Sequence, residues 1–283
     1  MEYYHAYTKG LKRNLLFSSD EDFIYGMNLI PKSLKGTGVV LLAFCLMDNH
    51  LHFILKATRD KCNGFIVKYK KSLGSFLARN GRRIREDLEA GVSRIGTSDY
   101  LMTSIAYVLR NPMVAGTNYI PQDYRWSSAS IYFRRQARIG AVGQRALGTL
   151  SYKDKRVVLK GRCDFPDDWL LDEEGMILPE CYTAVAEVEG LFSSVRRYLY
   201  HISANREAEV NGAVSGKVRL SDSDLKKEAV KMCLNMFGTA SVNMLDHGQR
   251  LLVCKSLRKE FGAAANQLAR VMDIDAEYLK MLM

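Results

Sequence analysis

The stretch LMDNHLHFIL, Leu46–Leu55, sets two histidines in a run that otherwise reads as a buried strand. VVLLAFC, Val39–Cys45, leads into it, so the whole reads as one long β-rich apolar stretch. Side chains two apart in a strand share a face. His50 and His52 should therefore point the same way, about 7 Å apart, while Leu51 and Phe53 turn into a core. Five histidines placed at random in 283 residues would give about 0.07 His-x-His pairs. Neutral imidazole is a common transition-metal ligand, and it also joins Mg²⁺ or Mn²⁺ where oxygen donors complete the shell. The plain alternative is a pair of solvated histidines. His5, His201 and His247 stand alone and read as structural.

Upstream, EYYHAYTKG (Glu2–Gly10) alternates aromatic and polar residues, a strand pattern ending in a Gly turn. SSDEDFIYGMNLI (Ser18–Ile30) opens with cap-type residues and an acidic first turn, so a helix is expected from Asp20, ended by Pro31. Downstream, Phe65, Ile66, Tyr69, Leu73, Phe76 and Leu77 fall at helical spacing and define an amphipathic helix with a basic outer face. At that spacing the aromatics read as core. After a polar, basic stretch from Arg82 to Arg94, TSD (Thr97–Asp99) caps a helix YLMTSIAYVLRN that should stop before Pro112. Strand, helix, strand, helix, helix suggests an α+β domain: an antiparallel sheet with helices on one face. From 139 to 216 the chain is Gly-rich, then acidic and turn-rich, and reads as a linker or accessory region. Residues 217–283 read as helical.

The charge distribution narrows the function. The chain carries 41 Lys+Arg against 31 Asp+Glu, a net charge of +10. Residues 51–150 hold 17 basic against 6 acidic residues, whereas 151–200 hold 7 against 10. Such a local surplus suits a polyanion, most often nucleic acid, although a solvated basic face would look the same. No apolar run nears the ~20 residues a membrane span requires, and no segment resembles a secretory signal. Cys45, Cys62, Cys163, Cys181, Cys233 and Cys254 are scattered, unlike a zinc knuckle or disulfide framework. A cytoplasmic protein is expected.

MDNHLHFIL (Met47–Leu55) is followed by YVLRNPMVAG (Tyr107–Gly116) and then PQDYRWSSA (Pro121–Ala129). In that order the motifs resemble the single-tyrosine HUH transposases, and within them the REP-associated tyrosine transposase branch, over about residues 3–133. The resemblance implies a ferredoxin-like antiparallel sheet. It implies that His50 and His52 bind a divalent metal (Mg²⁺ or Mn²⁺), that Asn111 supplies a third ligand, and that Tyr107 is the nucleophile. It further implies cutting and rejoining of single-stranded DNA beside short imperfect hairpins through a 5′-phosphotyrosine. Tyr107 and Asn111 are four apart and so share a helical face. A phenol titrates near ~10, so it needs help to attack at neutral pH. Asn111 before Pro112 could equally be a helix cap, and Tyr107 a packed aromatic. Two departures stand out: Asp48 occupies a usual Pro position and should lie on the histidine face, and LEAGVSRIG poorly matches the family's Gly-aromatic-basic element.

For DNA contacts the candidates are Lys68, Lys70, Lys71, Arg79, Arg82, Arg83 and Arg85, with Arg110 beside the proposed site. Trp126 reads as a packing anchor. The tail from Arg250 resembles a helix-turn-helix, with a small residue at Ala269, an apolar one at Leu279, and Asp273 where Gly is usual. A plain helical bundle fits it too. The expected organisation is thus a catalytic domain over 1–138, an accessory region over 139–216, and a helix-turn-helix-like domain over 217–283. Two rival functions remain: a related HUH nickase of replication or plasmid transfer, and a non-catalytic, domesticated DNA-binding protein. A homodimer is left open.

Overall fold

The computed structural model describes residues 2–84, 87–115, 117, 119–134, 144–161, 164–203, 222–261 and 263–282. Both expected domain boundaries fall outside these residues. Six elements build the central layer: β1 (Glu2–Thr8), α1 (Asp20–Leu34), β2 (Val40–Met47), β3 (His50–Ala57), α2 (Arg59–Arg79) and β4 (Ala90–Ile95). The strands form one antiparallel sheet in the order β2-β3-β1-β4. Each crossover helix therefore joins two strands split by one running the other way, the β-α-β-β-α-β pattern of ferredoxin-like sheets.

The quoted stretch is not one strand. Asp48 and Asn49 form a two-residue turn, and β2 and β3 pair across it with Met47 opposite His50 and Cys45 opposite His52. β4 arises from the stretch that reads as merely polar and basic. It is an edge strand, mostly exposed, and carries little of the apolar alternation that marks a strand in sequence.

Helices cover both faces of the sheet, not one. Phe53 of β3 meets Phe65 and Tyr69 of α2, both fully buried, which confirms those aromatics as core. Its neighbour His52 points to the other face, where α3 (Ser98–Val114) lies. Neither proline ends its helix. Pro31 sits in the last turn of α1, where one missing N–H costs a single bond and Lys35 N–H still closes onto the Pro31 carbonyl at 3.0 Å. Pro112 lies inside α3, compensated as described below. Trp126 is a packing anchor, stacked 4.7 Å from Phe23.

The segment read as a linker packs against this domain. Its short strands β5 (Arg145–Ala146) and β6 (Leu170–Leu171) pair, with α4 (Tyr152–Val158) between them. Asn28 of α1 clamps it, donating to the Gly175 carbonyl (2.9 Å) and accepting from Ile177 N–H (2.7 Å). Then α5 (Val185–Phe192) and α6 (Val195–Ser203) bury Val188, Phe192, Tyr198 and Ile202 in the same core as the sheet. The C-terminal helices have their own core: α7 (Asp222–Phe237), α8 (His247–Phe261), α9 (Ala265–Met272) and α10 (Ala276–Leu282). Ala269 and Leu279 are buried there, and Asp273 takes the left-handed conformation at φ 52°. Among the described residues, no helix is long and apolar enough to cross a membrane.

Candidate active site

The register of the sheet decides which side chains meet. Tyr7 on β1 lies opposite His52 on β3, so His5, Tyr7, His50 and His52 share the face that α3 covers. α3 starts at Thr97, whose hydroxyl accepts from Tyr100 N–H, and it delivers Tyr107 and Asn111 onto that face. The rings of His50 and His52 are 4.9 Å apart and perpendicular, and Tyr107 stands edge-on to His52 at 5.8 Å. The two histidines and Asn111 are largely shielded from solvent, whereas Tyr107 is 38% exposed. Its ring borders a cavity of about 420 Å³ also lined by His5, Tyr7, His52, Tyr100 and Arg110.

Asn111 is held by what Pro112 lacks. Pro112 cannot donate to the carbonyl of Val108, and the Asn111 amide does so instead at 3.3 Å, while also donating to the Tyr107 carbonyl at 3.0 Å. Both donors point back along α3, which fixes the amide orientation and turns Oδ1 outward to His50 Nε2, 3.5 Å away. On the other side of that ring, His50 Nδ1 lies 2.8 Å from Asn49 Oδ1, and Asn49 is itself fixed by donating to the Leu11 carbonyl at 2.8 Å. Nδ1 must therefore carry the proton. Burial lowers the His50 pKa, so the ring is neutral at pH 7 and Nε2 presents a lone pair. In that tautomer two acceptor atoms face one another, an arrangement that a cation between them would satisfy.

His52 is neutral for the same reason: burial, then the neighbouring His50 and His5, hold its pKa well below the ordinary value. Its Nδ1 is bonded to His5 Nε2 at 3.0 Å, and burial holds His5 at about 4. The Asn111 amide also reaches His52. Among the described residues no three His, Cys, Asp or Glu side chains converge as a metal site; the oxygen beside the two imidazoles is that of the Asn111 amide. Two neutral imidazoles and an amide oxygen, each fixed by a hydrogen bond from behind, suit a divalent ion with open positions. His5 belongs to this site, contrary to its reading as an isolated structural histidine.

Asp48 lies in the β2–β3 turn and not on the histidine strand. Its backbone carbonyl takes the N–H groups of Leu16 and Phe17, and its buried Oδ2 accepts the Asp222 N–H at 2.7 Å, where α7 begins. Burial and then the Asp222 charge push its pKa up to about 7.

The proposed DNA contacts are not gathered at the site. Lys68, Lys70, Lys71 and Arg79 lie on the outer side of α2, across the sheet from Tyr107. Arg82 is tied to the fold, paired with Asp22 and donating to the Leu15 carbonyl at 2.9 Å. Arg83 is exposed, and Arg85 lies outside the described residues. Arg110 is only 2% exposed, so it is no open-surface contact, although it lines the cavity beside Tyr107.

No family model and no curated protein matches the chain. A solved structure, that of the REP-associated tyrosine transposase bound to a REP hairpin, is similar with a TM-score of 0.36 and 13% identity. The match covers 49% of this chain and 81% of that one. A likeness of that size carries no argument by itself, and the site geometry has to bear the functional reading.

Proposed function

We propose that the chain is a metal-dependent single-tyrosine DNA strand transferase acting on single-stranded DNA beside hairpins, of the HUH type. The observation that carries this reading is the convergence of His50 Nε2 and Asn111 Oδ1, 3.5 Å apart, one helical turn from a half-exposed tyrosine. His50, His52 and Asn111 would hold Mg²⁺ or Mn²⁺. When bound, the ion would polarise the scissile phosphate and stabilise the charge of an in-line displacement. Tyr107 Oη forms a bond to phosphorus as the bond from phosphorus to the 3′-oxygen breaks. The phenolic proton is released and the 3′-oxygen takes one up, leaving a 5′-phosphotyrosine and a free 3′-hydroxyl. Attack by another 3′-hydroxyl reverses the step on a new strand, so bond energy is conserved without ATP. Arg110 lines the same cavity and would balance phosphate charge there.

The test is covalent trapping. Full-length protein with Mn²⁺ and single-stranded fragments of its genomic flanks should give a protein–DNA adduct mapping to Tyr107. Tyr107→Phe should abolish the adduct and keep the fold, since the ring remains. Tyr100→Phe, lining the same cavity, should retain it. An adduct at normal rate from Tyr107→Phe moves the nucleophile elsewhere. Binding without any adduct, under every divalent metal tried, supports a non-catalytic DNA-binding protein instead.

A further inference from the structure

A second hollow, of about 520 Å³, lies on the face of the sheet that α1 and α2 cover, away from Tyr107, and the 144–203 segment completes it. Its lining brings together Lys32 of α1, Lys35 at the α1 C-cap, Lys68 of α2 and Lys155 of α4. Lys35 pairs with the Asp164 carboxylate at 3.7 Å and Lys155 with that of Asp167 at 2.8 Å, so these carboxylates offset two of the four charges. Three of these ammonium groups are aimed by backbone oxygens: Lys32 by the Leu159 carbonyl, Lys35 by that of Asp164, and Lys68 by that of Lys35 at 3.3 Å. Carbonyls orient a cation without cancelling its charge. Gathering like charges in one concavity opposes folding, and an anion bound among them relieves that repulsion. At the rim stands Tyr152, 65% exposed, with the Arg156 guanidinium 5.9 Å over its ring. An exposed ring beside clustered cations is the combination that holds a base and its phosphate together.

We infer that this hollow is a nucleotide-binding site, with the phosphate among Lys32, Lys35, Lys68 and Lys155 and the base on Tyr152. The ligand is either an unpaired nucleotide of a DNA strand or a free nucleotide, which share this chemistry. The site stands apart from the Tyr107 chemistry and does not depend on it. Trp169, stacked 4.8 Å from Phe165 in the wall of the hollow, supplies a built-in fluorescent reporter.

The experiment titrates the full-length chain with hexathymidylate, thymidine 5′-monophosphate and inorganic phosphate, following Trp169 quenching with Trp169→Phe as the blank. Tyr152→Ala should weaken nucleotide binding about tenfold, within the range of one base–aromatic stack. Lys68→Gln should lower the salt slope for the hexamer by about one. Both positions are exposed, so melting temperatures should not move. His52→Ala should bind as the wild type does, which separates failure here from failure of the strand-transfer reading. Tighter binding of the hexamer assigns a strand; equal or tighter binding of the monophosphate assigns a free nucleotide, and both uphold the site. Quenching by none of the probes overturns the inference. So does inorganic phosphate matching the nucleotide with Tyr152→Ala unaffected, because the ring then plays no part.

Discussion

Removing Arg270 should loosen the start of α7, where the C-terminal helices meet the sheet domain, without unfolding the sheet. The two have separate cores, so what joins them is largely polar. Two of the cross-links are exposed ion pairs, Arg13–Asp275 and Lys227–Asp20, with side chains about half exposed. Pairs of that kind contribute about 0–1 kcal/mol each. The Arg270–Asp222 pair lies within the C-terminal helices, between α9 and the first residue of α7, at 12% and 5% side-chain exposure. Asp222 also accepts from Gln267 Nε2 at 2.9 Å and donates its backbone N–H to Asp48 of the β2–β3 turn. Among the described residues, Arg270→Ala leaves the buried Asp222 carboxylate with Gln267 as its side-chain donor. Stranding one member of a buried pair costs about 3–5 kcal/mol, and the surviving amide bond argues for the lower end. A loss of about 3 kcal/mol shifts the local opening of the α7 start by roughly 150-fold (1.4 kcal/mol per tenfold). Because two cores need not melt together, hydrogen exchange is the proper assay. The Asp222 amide should exchange faster by about that factor, while the amides of β2 and β3 change little. A double-mutant cycle with Asp222→Ala should give a coupling above 1 kcal/mol, on the scale expected of contacting residues. Unchanged exchange at Asp222, or a coupling near zero, would refute the claim that this pair fastens the start of α7.

His5→Ala should weaken Mn²⁺ binding about 10- to 100-fold, as loss of a group orienting a ligand does. His5→Gln should recover part of it, and equal Mn²⁺ affinity in all three proteins, measured calorimetrically, would reduce His5 to packing. Replacing Lys68, Lys70 and Lys71 together by Gln should flatten the salt dependence of hairpin binding by about 2 units if all three meet single-stranded phosphates; an unchanged slope makes them a solvated face. The docking of α7 should depend on pH through Asp48. Its folded pKa, about 7, lies above the ordinary 3.8, so the fold favours the protonated carboxyl. That contribution is complete below about pH 4 and is lost as pH rises through about 7. Asp48→Asn should remove this dependence from the Asp222 exchange rate, and a pH profile that survives the substitution would place the titration elsewhere.

The histidine pair and the Tyr107–Asn111 spacing were legible because strand and helix periodicities act over two to four residues. What was hidden depended on distant partners or on turns without the usual signals. Asp48-Asn49 carries no glycine, so a hairpin between two apolar strands reads as one run. His5 joins the site only because β1 pairs with β3 in a register that places Tyr7 opposite His52. Asp48 takes its role from Asp222, 174 residues away. Arg82 likewise looks like a surface cation until Asp22 and the Leu15 carbonyl claim it. Local charge counts cannot separate such residues from Lys71, which stays exposed.

Asn111 shows how helix repair and site chemistry converge on one side chain. Read in sequence, its use as a helix cap competes with its use as a ligand. In the structure, the amide nitrogen repairs the gap that Pro112 leaves at the Val108 carbonyl, and for that very reason the oxygen has one direction left to face. Pro112 thus acts on the site without touching it: it creates the unmet acceptor that locks the amide. An aspartate at 111 would keep an oxygen for a cation but lose both donors to the helix, and an alanine would lose both functions. A glutamine would have to carry its amide one methylene farther from carbonyls that Asn111 reaches at 3.0 and 3.3 Å. The Asn-Pro pair therefore works as a unit, in which a defect in the helix orients a donor toward His50.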